Sequence, residues 1–140
     1  MKSIAETWDR AQRRLASLPR SGNVQIVTAA DGSPTVVVDG VLLHSKYEPL
    51  REAERLVDAE NRSVTGTVIV YGMGLGYHLR ELVRRGAERL IVVEACSDVA
   101  KAFFETEVGG DPDRYLFCIG HDPANVARDS LFQEAAKAGT

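Results

Sequence analysis

Residues 67–94 read TVIVYGMGLGYHLRELVRRGAERLIVVE, and the reading of this stretch decides the fold. Val68, Ile69 and Val70 make an apolar run short enough for a buried strand. Gly72, Gly74 and Gly76 follow at alternate positions. A helical pattern then runs from about Tyr77 to Arg85, with Leu79, Leu82 and Val83 on one face and Gly86 as a C-terminal stop. A second apolar run, Leu90–Val93, ends on the acid Glu94. Strand, glycine turn, helix, strand and acid predict the first half of a nucleotide-binding α/β sheet. The fold class expected is therefore α/β, a Rossmann-like, methyltransferase-like half-sheet of parallel strands with helices.

Downstream, Ser97 is an expected N-cap, and Val99, Ala102 and Phe103 give a helix over about 98–107 its apolar face. Gly109-Gly110-Asp111-Pro112 breaks that helix, and Tyr115–Ile119 supplies a third strand. A last helix is expected from about Pro123 to Lys137. Upstream, Ile4, Trp8, Ala11, Leu15 and Leu18 recur at three- and four-residue intervals, which predicts an amphipathic helix over 3–18. Ser3 with Glu6 fits a capping box at its start. Such a helix must pack either on its own domain or on a second subunit.

Between them, Val24–Thr28, Thr35–Val38 and Val41–His44 read as short strands, joined by the turns Asp31-Gly32-Ser33-Pro34 and Asp39-Gly40. They form a small β-meander. Pro49 then opens a helix whose apolar side is Ala53, Leu56 and Val57. The chain divides into an N-terminal helix (1–20), a meander with its connecting helix (21–60) and a Rossmann-like core (61–140), one compact domain overall.

The 140 residues suffice for a real core, and the net charge of −3 argues against a dedicated nucleic-acid binder. No stretch approaches the roughly 20 apolar residues of a bilayer span, and the N-terminus lacks a signal peptide's apolar segment. Cys96 and Cys118 read as reduced core thiols, so a cytoplasmic protein is expected. Arg10, Arg13, Arg14 and Arg20 read as a solvated helix face. His44, His78 and His121 lack any metal-ligand spacing, and no catalytic set is expected.

The glycine spacing narrows the ligand class. In a dinucleotide loop begun at Gly72, the third glycine would fall at Tyr77, and nothing supplies the lysine of a triphosphate loop. G-x-G-x-G remains, the spacing of S-adenosylmethionine-dependent methyltransferases, in which small residues admit a ligand to the backbone. Gly72, Gly74, Gly76, Glu94 as a ribose acceptor and Asp122 beside a base edge would lie at successive strand ends, with His78 at the helix start. Against methyl transfer, Val70 stands where such enzymes carry an acid, and the chain ends before a fourth strand. A second candidate cluster, His44, Ser45, Lys46 and Tyr47, occupies the connection before the Pro49 helix. Its alternative is a plain helix start with Tyr47 packed as a staple.

Taken together, LHSKYEPLREAERLV (43–57), YGMGLGYHLRELVRRG (71–86) and IVVEACSDV (91–99) resemble the N-terminal part of the motility accessory factor family. That family is implicated in glycosylating flagellin with nonulosonic acids. Its sugar-transfer chemistry is assigned to a following, sialyltransferase-like domain, which this chain does not contain. Ala95 and Cys96 after Glu94 depart from the proline and acid expected there. The resemblance implies a fragment or stand-alone relative of an accessory domain, not catalytic alone, that binds a nucleotide or nucleoside such as S-adenosylmethionine or a cytidine nucleotide. The implied partners are the C-terminal catalytic domain or flagellin. A truncated or minimal methyltransferase, and an interaction module that pairs chains into a homodimer, stay open as alternatives.

Overall fold

The computed structural model describes residues 5–18, 23–59, 64–106, 108 and 110–120. In chain order it holds α1 (Trp8–Ala16), β1 (Val24–Thr28), β2 (Pro34–Val38), β3 (Val41–Leu42), α2 (Pro49–Ala59) and β4 (Gly66–Tyr71). There follow α3 (Tyr77–Arg84), β5 (Ala87–Glu94), α4 (Ser97–Thr106), a 3-10 turn (Pro112–Arg114) and β6 (Tyr115–Ile119). The fold is mixed α/β, with one antiparallel and one parallel three-stranded sheet. The helix expected over Pro123–Lys137, and with it His121 and Asp122, lies outside the described residues.

β4, β5 and β6 pair in sequential order, all parallel, with α3 and α4 as the crossovers. The run Leu90–Val93 is buried throughout because β5 is central, flanked by a strand on each side. β4 carries an equally apolar run but is only partly buried, and Tyr71 at its end is 66% exposed. Leu90, Val92, Phe117 and Ile119 feed the main core, while Ile91, Val93 and Cys118 pack together on the sheet's other face. Neither cysteine is in a disulfide; Cys118 is buried and Cys96 half-buried.

The meander forms as its turn chemistry requires. Asp39 and Gly40 both take positive φ (50° and 82°), the condition for a tight two-residue hairpin, and Val38 pairs with Val41 across it. At the other turn the Asp31 carboxylate accepts the Ser33 amide at 2.9 Å.

The N-terminal helix starts later than its periodicity predicts. Glu6 lies in an extended bridge to β6, its N–H donating to the Phe117 carbonyl and its own carbonyl accepting from the Phe117 N–H, each at 2.8 Å. Both backbone groups are thereby committed to the sheet edge, and the Glu6 side chain accepts from Arg14 Nε at 2.9 Å instead of capping a helix. Ser3, the other half of the expected capping box, lies outside the described residues. Arg14 also donates to the Ile119 carbonyl, so it is a bridge to the sheet and not part of a solvated face. Trp8 then closes the core, its ring centroid 5.2 Å from Phe103 and Phe104, 5.4 Å from Tyr115 and 5.9 Å from Phe117. Of the two packings open to this helix, the structure shows it covering its own domain.

α2 packs on α3, and here too one expected apolar residue is displaced. Pro49, Ala53 and Val57, spaced at i, i+4, i+8, form the buried stripe. Leu56 lies about 100° round the helix from Val57 and is 59% exposed. Glu81 of α3 is 1% exposed although charged. Its carboxylate accepts from Arg84 and, at 2.8 Å, from Arg85 Nε, while Arg85 reaches across to Asp58 (2.7 Å) and the Glu54 carbonyl (3.1 Å) of α2. The arginine hydrogen bonds, Arg84 first, outweigh the opposing effect of burial and hold the Glu81 carboxyl below its ordinary range.

Candidate functional site

The candidate site lies at the C-terminal edge of the parallel sheet, where backbone hydrogen bonds join the three strand ends. Gly72 N–H donates to the Val93 carbonyl at 2.8 Å, and Gly120 N–H donates to the Glu94 carbonyl at 2.7 Å. The turn from Gly72 to Gly76 therefore sits directly over the end of β5. Gly72, Gly74 and Gly76 all adopt positive φ (88°, 50° and 97°), which side chains rarely tolerate. Gly76 is the left-handed residue from which α3 starts. The glycines are needed for this backbone path whatever else the turn does.

Glu94 spans the turn from below. One carboxylate oxygen accepts the Met73 amide at 3.0 Å and the other accepts the Cys96 amide at 3.1 Å. A β5-end acid thus ties its own following loop to the loop after β4. Each oxygen retains a lone pair for a further donor.

From above, the turn is covered by His44. Its Nε2 accepts the Leu75 amide at 2.8 Å, which places the ring proton on Nδ1. The ring lies so close to Gly74 that a Cβ added there would stand 2.4 Å from Nε2. Tyr77 packs edge-on to His44 with centroids 5.1 Å apart, and its hydroxyl donates to the Pro34 carbonyl of β2. The His44 carbonyl in turn accepts from Thr35 Oγ1 at 3.3 Å. Meander and parallel sheet meet at these residues, and Met73 to Tyr77 are buried as a result.

Burial, with a smaller contribution from His78, lowers the His44 pKa from 6.5 to about 4. His78 stands at the rim, its Nε2–H donating to the Gly72 carbonyl at 3.0 Å. Burial lowers its pKa as well, against the opposing pull of that carbonyl and the Glu94 charge. The two imidazoles are 6.5 Å apart. Gly72, His78 and Glu94 keep some exposure and form the accessible rim.

The four residues of the second candidate cluster do not act together. Ser45 is a helix-start residue: its Oγ accepts the Tyr47 and Glu48 amides (3.0 and 3.1 Å), and its own N–H donates to Glu52 Oε1 at 3.0 Å. Tyr47 is 60% exposed with the Lys46 ammonium 5.2 Å from its ring centre, so it is no packed staple. His44 points away from both, into the glycine turn. An open pocket of about 370 Å³ lies beside the connection, between Ser45, Tyr47, Arg51 and Leu56, and takes in neither the turn nor Glu94. Among the described residues no group of three or more His, Cys, Asp and Glu is placed to hold a metal, and no helix is long and apolar enough to cross a membrane.

Two features were missed in the sequence, one without any signal there and one with a faint one. The His44–Leu75 bond joins residues 31 apart, and nothing in their spacing connects them. Glu81 carries a weak one: arginines at i+3 and i+4 can neutralise an acid that faces inward.

A family model described as the glycosyltransferase Maf N-terminal domain matches residues 6–104. An uncharacterized protein of Treponema pallidum (strain Nichols) is 40% identical over 55 residues, which cover 37% of this chain and 19% of that protein. The chain thus spans about a fifth of the length of the curated relative that it matches. The family match runs from Glu6 on β6's edge into α4 and takes in both sides of the His44–Leu75 contact. Because it covers well over half of the sequence, the chain belongs to the family of Maf glycosyltransferase N-terminal domains.

Proposed function

We propose that this chain is an accessory domain of a flagellin-glycosylating protein, without catalysis of its own, that receives a nucleoside or nucleotide at the mouth of its parallel sheet. Family membership supports the glycosylation context. The observation that carries the ligand reading is the convergence of Gly72, His78 and Glu94 on one accessible rim at the strand ends. Open α/β sheets bind ligands there. Glu94 retains acceptor capacity for a ribose diol, and the Gly72 backbone is exposed. The transfer step would belong to the catalytic domain that accompanies this one in the parent protein.

Calorimetry with CMP, a CMP-sugar, S-adenosylmethionine and S-adenosylhomocysteine tests the reading. Binding of a cytidine ligand that Glu94→Ala removes would uphold it. Preference for the two S-adenosyl ligands would favour the methyltransferase alternative, and no heat from any of them at millimolar concentration would sink the ligand site.

A second reading, an interaction module for flagellin or another copy of the chain, is favoured by the outer side of the meander, where Val41, Leu42 and Leu43 are exposed. Light scattering of the chain alone and mixed with flagellin tests it. A monomer in both samples would remove it.

A further inference from the structure

His44 holds the position that an acceptor-bearing ring of a ligand would take at this mouth. It is planar, it lies on the bare Cα of Gly74, and its lone pair takes the Leu75 N–H. In a glycine turn of this kind the missing side chains and the outward N–H groups are the means by which a nucleoside approaches the backbone. Here both are occupied from within the chain. The rim residues Gly72, His78 and Glu94 stay accessible, while Gly74 and Leu75 directly behind them are buried.

We infer that the His44 ring is a built-in plug of the nucleoside site, and that a ligand binds fully only when this ring rotates off Gly74 and yields the Leu75 N–H. The inference rests on the nucleoside reading above and adds how that site is controlled. The backbone beside the ring is pinned: the His44 carbonyl accepts from Thr35, the Lys46 carbonyl from Ala30 N–H at 2.8 Å and the Tyr47 carbonyl from Asp31 N–H at 3.1 Å. The movable part is therefore the side chain, turning about its Cα–Cβ bond, and not the whole connection. With the ring in place the Leu75 amide has its hydrogen-bond partner within the chain. Ligand and imidazole compete for one hydrogen bond and one space. Affinity for the ligand is reduced by the fraction of molecules in which the ring is in place.

The test is calorimetric titration of CMP and S-adenosylhomocysteine into the wild-type chain and into His44→Ala, repeated with free imidazole present. The expected result is that H44A binds at least one of the two tenfold or more tightly than wild type, and that imidazole, refilling the vacated space, competes with it in H44A only. Equal affinity in wild type and a cooperatively folding H44A would overturn the plug while leaving the nucleoside reading intact. Absence of binding in both would overturn the nucleoside reading and the plug with it. Should H44A fail to fold, the wild-type chain decides by NMR. Saturating ligand must then shift the His44 ring and Leu75 amide resonances, and resonances that stay fixed at saturation overturn the plug.

Discussion

The Nε2 atom of His44 accepts the backbone proton of Leu75 at 2.8 Å, across 31 residues of sequence, and this one bond fastens the meander to the glycine turn of the parallel sheet. It takes up the N–H that the turn presents outward and fills the space that Gly74 leaves by having no side chain. The same contact therefore contributes to the stability of the joint.

Gly74 should therefore tolerate substitution far worse than Gly72. Both have positive φ, and that alone costs roughly 1–2 kcal/mol for a non-glycine residue. At Gly72 an added Cβ meets nothing within 4 Å, whereas at Gly74 it meets the His44 ring. Gly72→Ala is expected to cost about 1 kcal/mol and Gly74→Ala about 3 kcal/mol or more. In H44A/G74A the clash is gone, so the double variant should lose less than the sum of the H44A and G74A losses. Denaturant unfolding of wild type, H44A, G74A and H44A/G74A measures this; strict additivity would count against the contact.

Stability should fall as pH drops from about 6.5 towards 4 through the two imidazoles. The folded-state pKa of His44 lies at about 4, below its ordinary 6.5. The unfolded chain therefore takes up the proton first, and the neutral-His44 stability, complete above 6.5, is lost on the way down. The shift corresponds to roughly 3 kcal/mol at most. His78 shifts in the same direction, so its contribution also declines as pH falls below 6.5. In His44→Gln, whose amide oxygen still accepts the Leu75 N–H, most of the slope between these pH values should vanish and His78's part remain. Urea midpoints across the range report it.

A separate acid step should belong to Glu81. Its folded pKa is depressed below 4.5, so its contribution is present above that value and disappears as pH falls through the lower, folded value. Glu81→Gln keeps the shape, leaves Arg84 and Arg85 without their carboxylate and weakens the tie from α3 to Asp58 and Glu54 of α2. A loss of about 2 kcal/mol at neutral pH is expected, the scale of hydrogen bonds to a charged group, shrinking as pH falls below the folded pKa. An unchanged melting temperature at pH 7 would contradict it.

Trp8→Ala should detach α1. Four aromatic rings lie within 5.9 Å of the Trp8 ring centre, and truncation of such a side chain costs about 3–5 kcal/mol. The readout is a lowered unfolding midpoint together with loss of the near-ultraviolet circular dichroism of the cluster. For comparison, Leu56→Ser on the exposed side of α2 should change the midpoint little.

The strand, turn, helix and strand of residues 67–94 were legible in the linear chain because each rests on local rules: a short apolar run, glycines at alternate places, a helical apolar face and a glycine stop. The Asp39-Gly40 hairpin was readable for the same reason, its two positive φ angles being a demand of adjacent residues. Family membership was likewise readable from the HSKY and glycine-turn segments. Three things were not. Glu6 joins β6 instead of capping α1, because a sheet edge 111 residues downstream takes its backbone groups. Leu56 faces outward, because α3 meets α2 along the Pro49, Ala53, Val57 stripe. His44 turns into Gly74, because only the docking of the meander brings an imidazole to that bare Cα and its neighbouring N–H. Local sequence settles which backbone each segment adopts; which of its polar groups are left for a ligand depends on what the other segments have already taken.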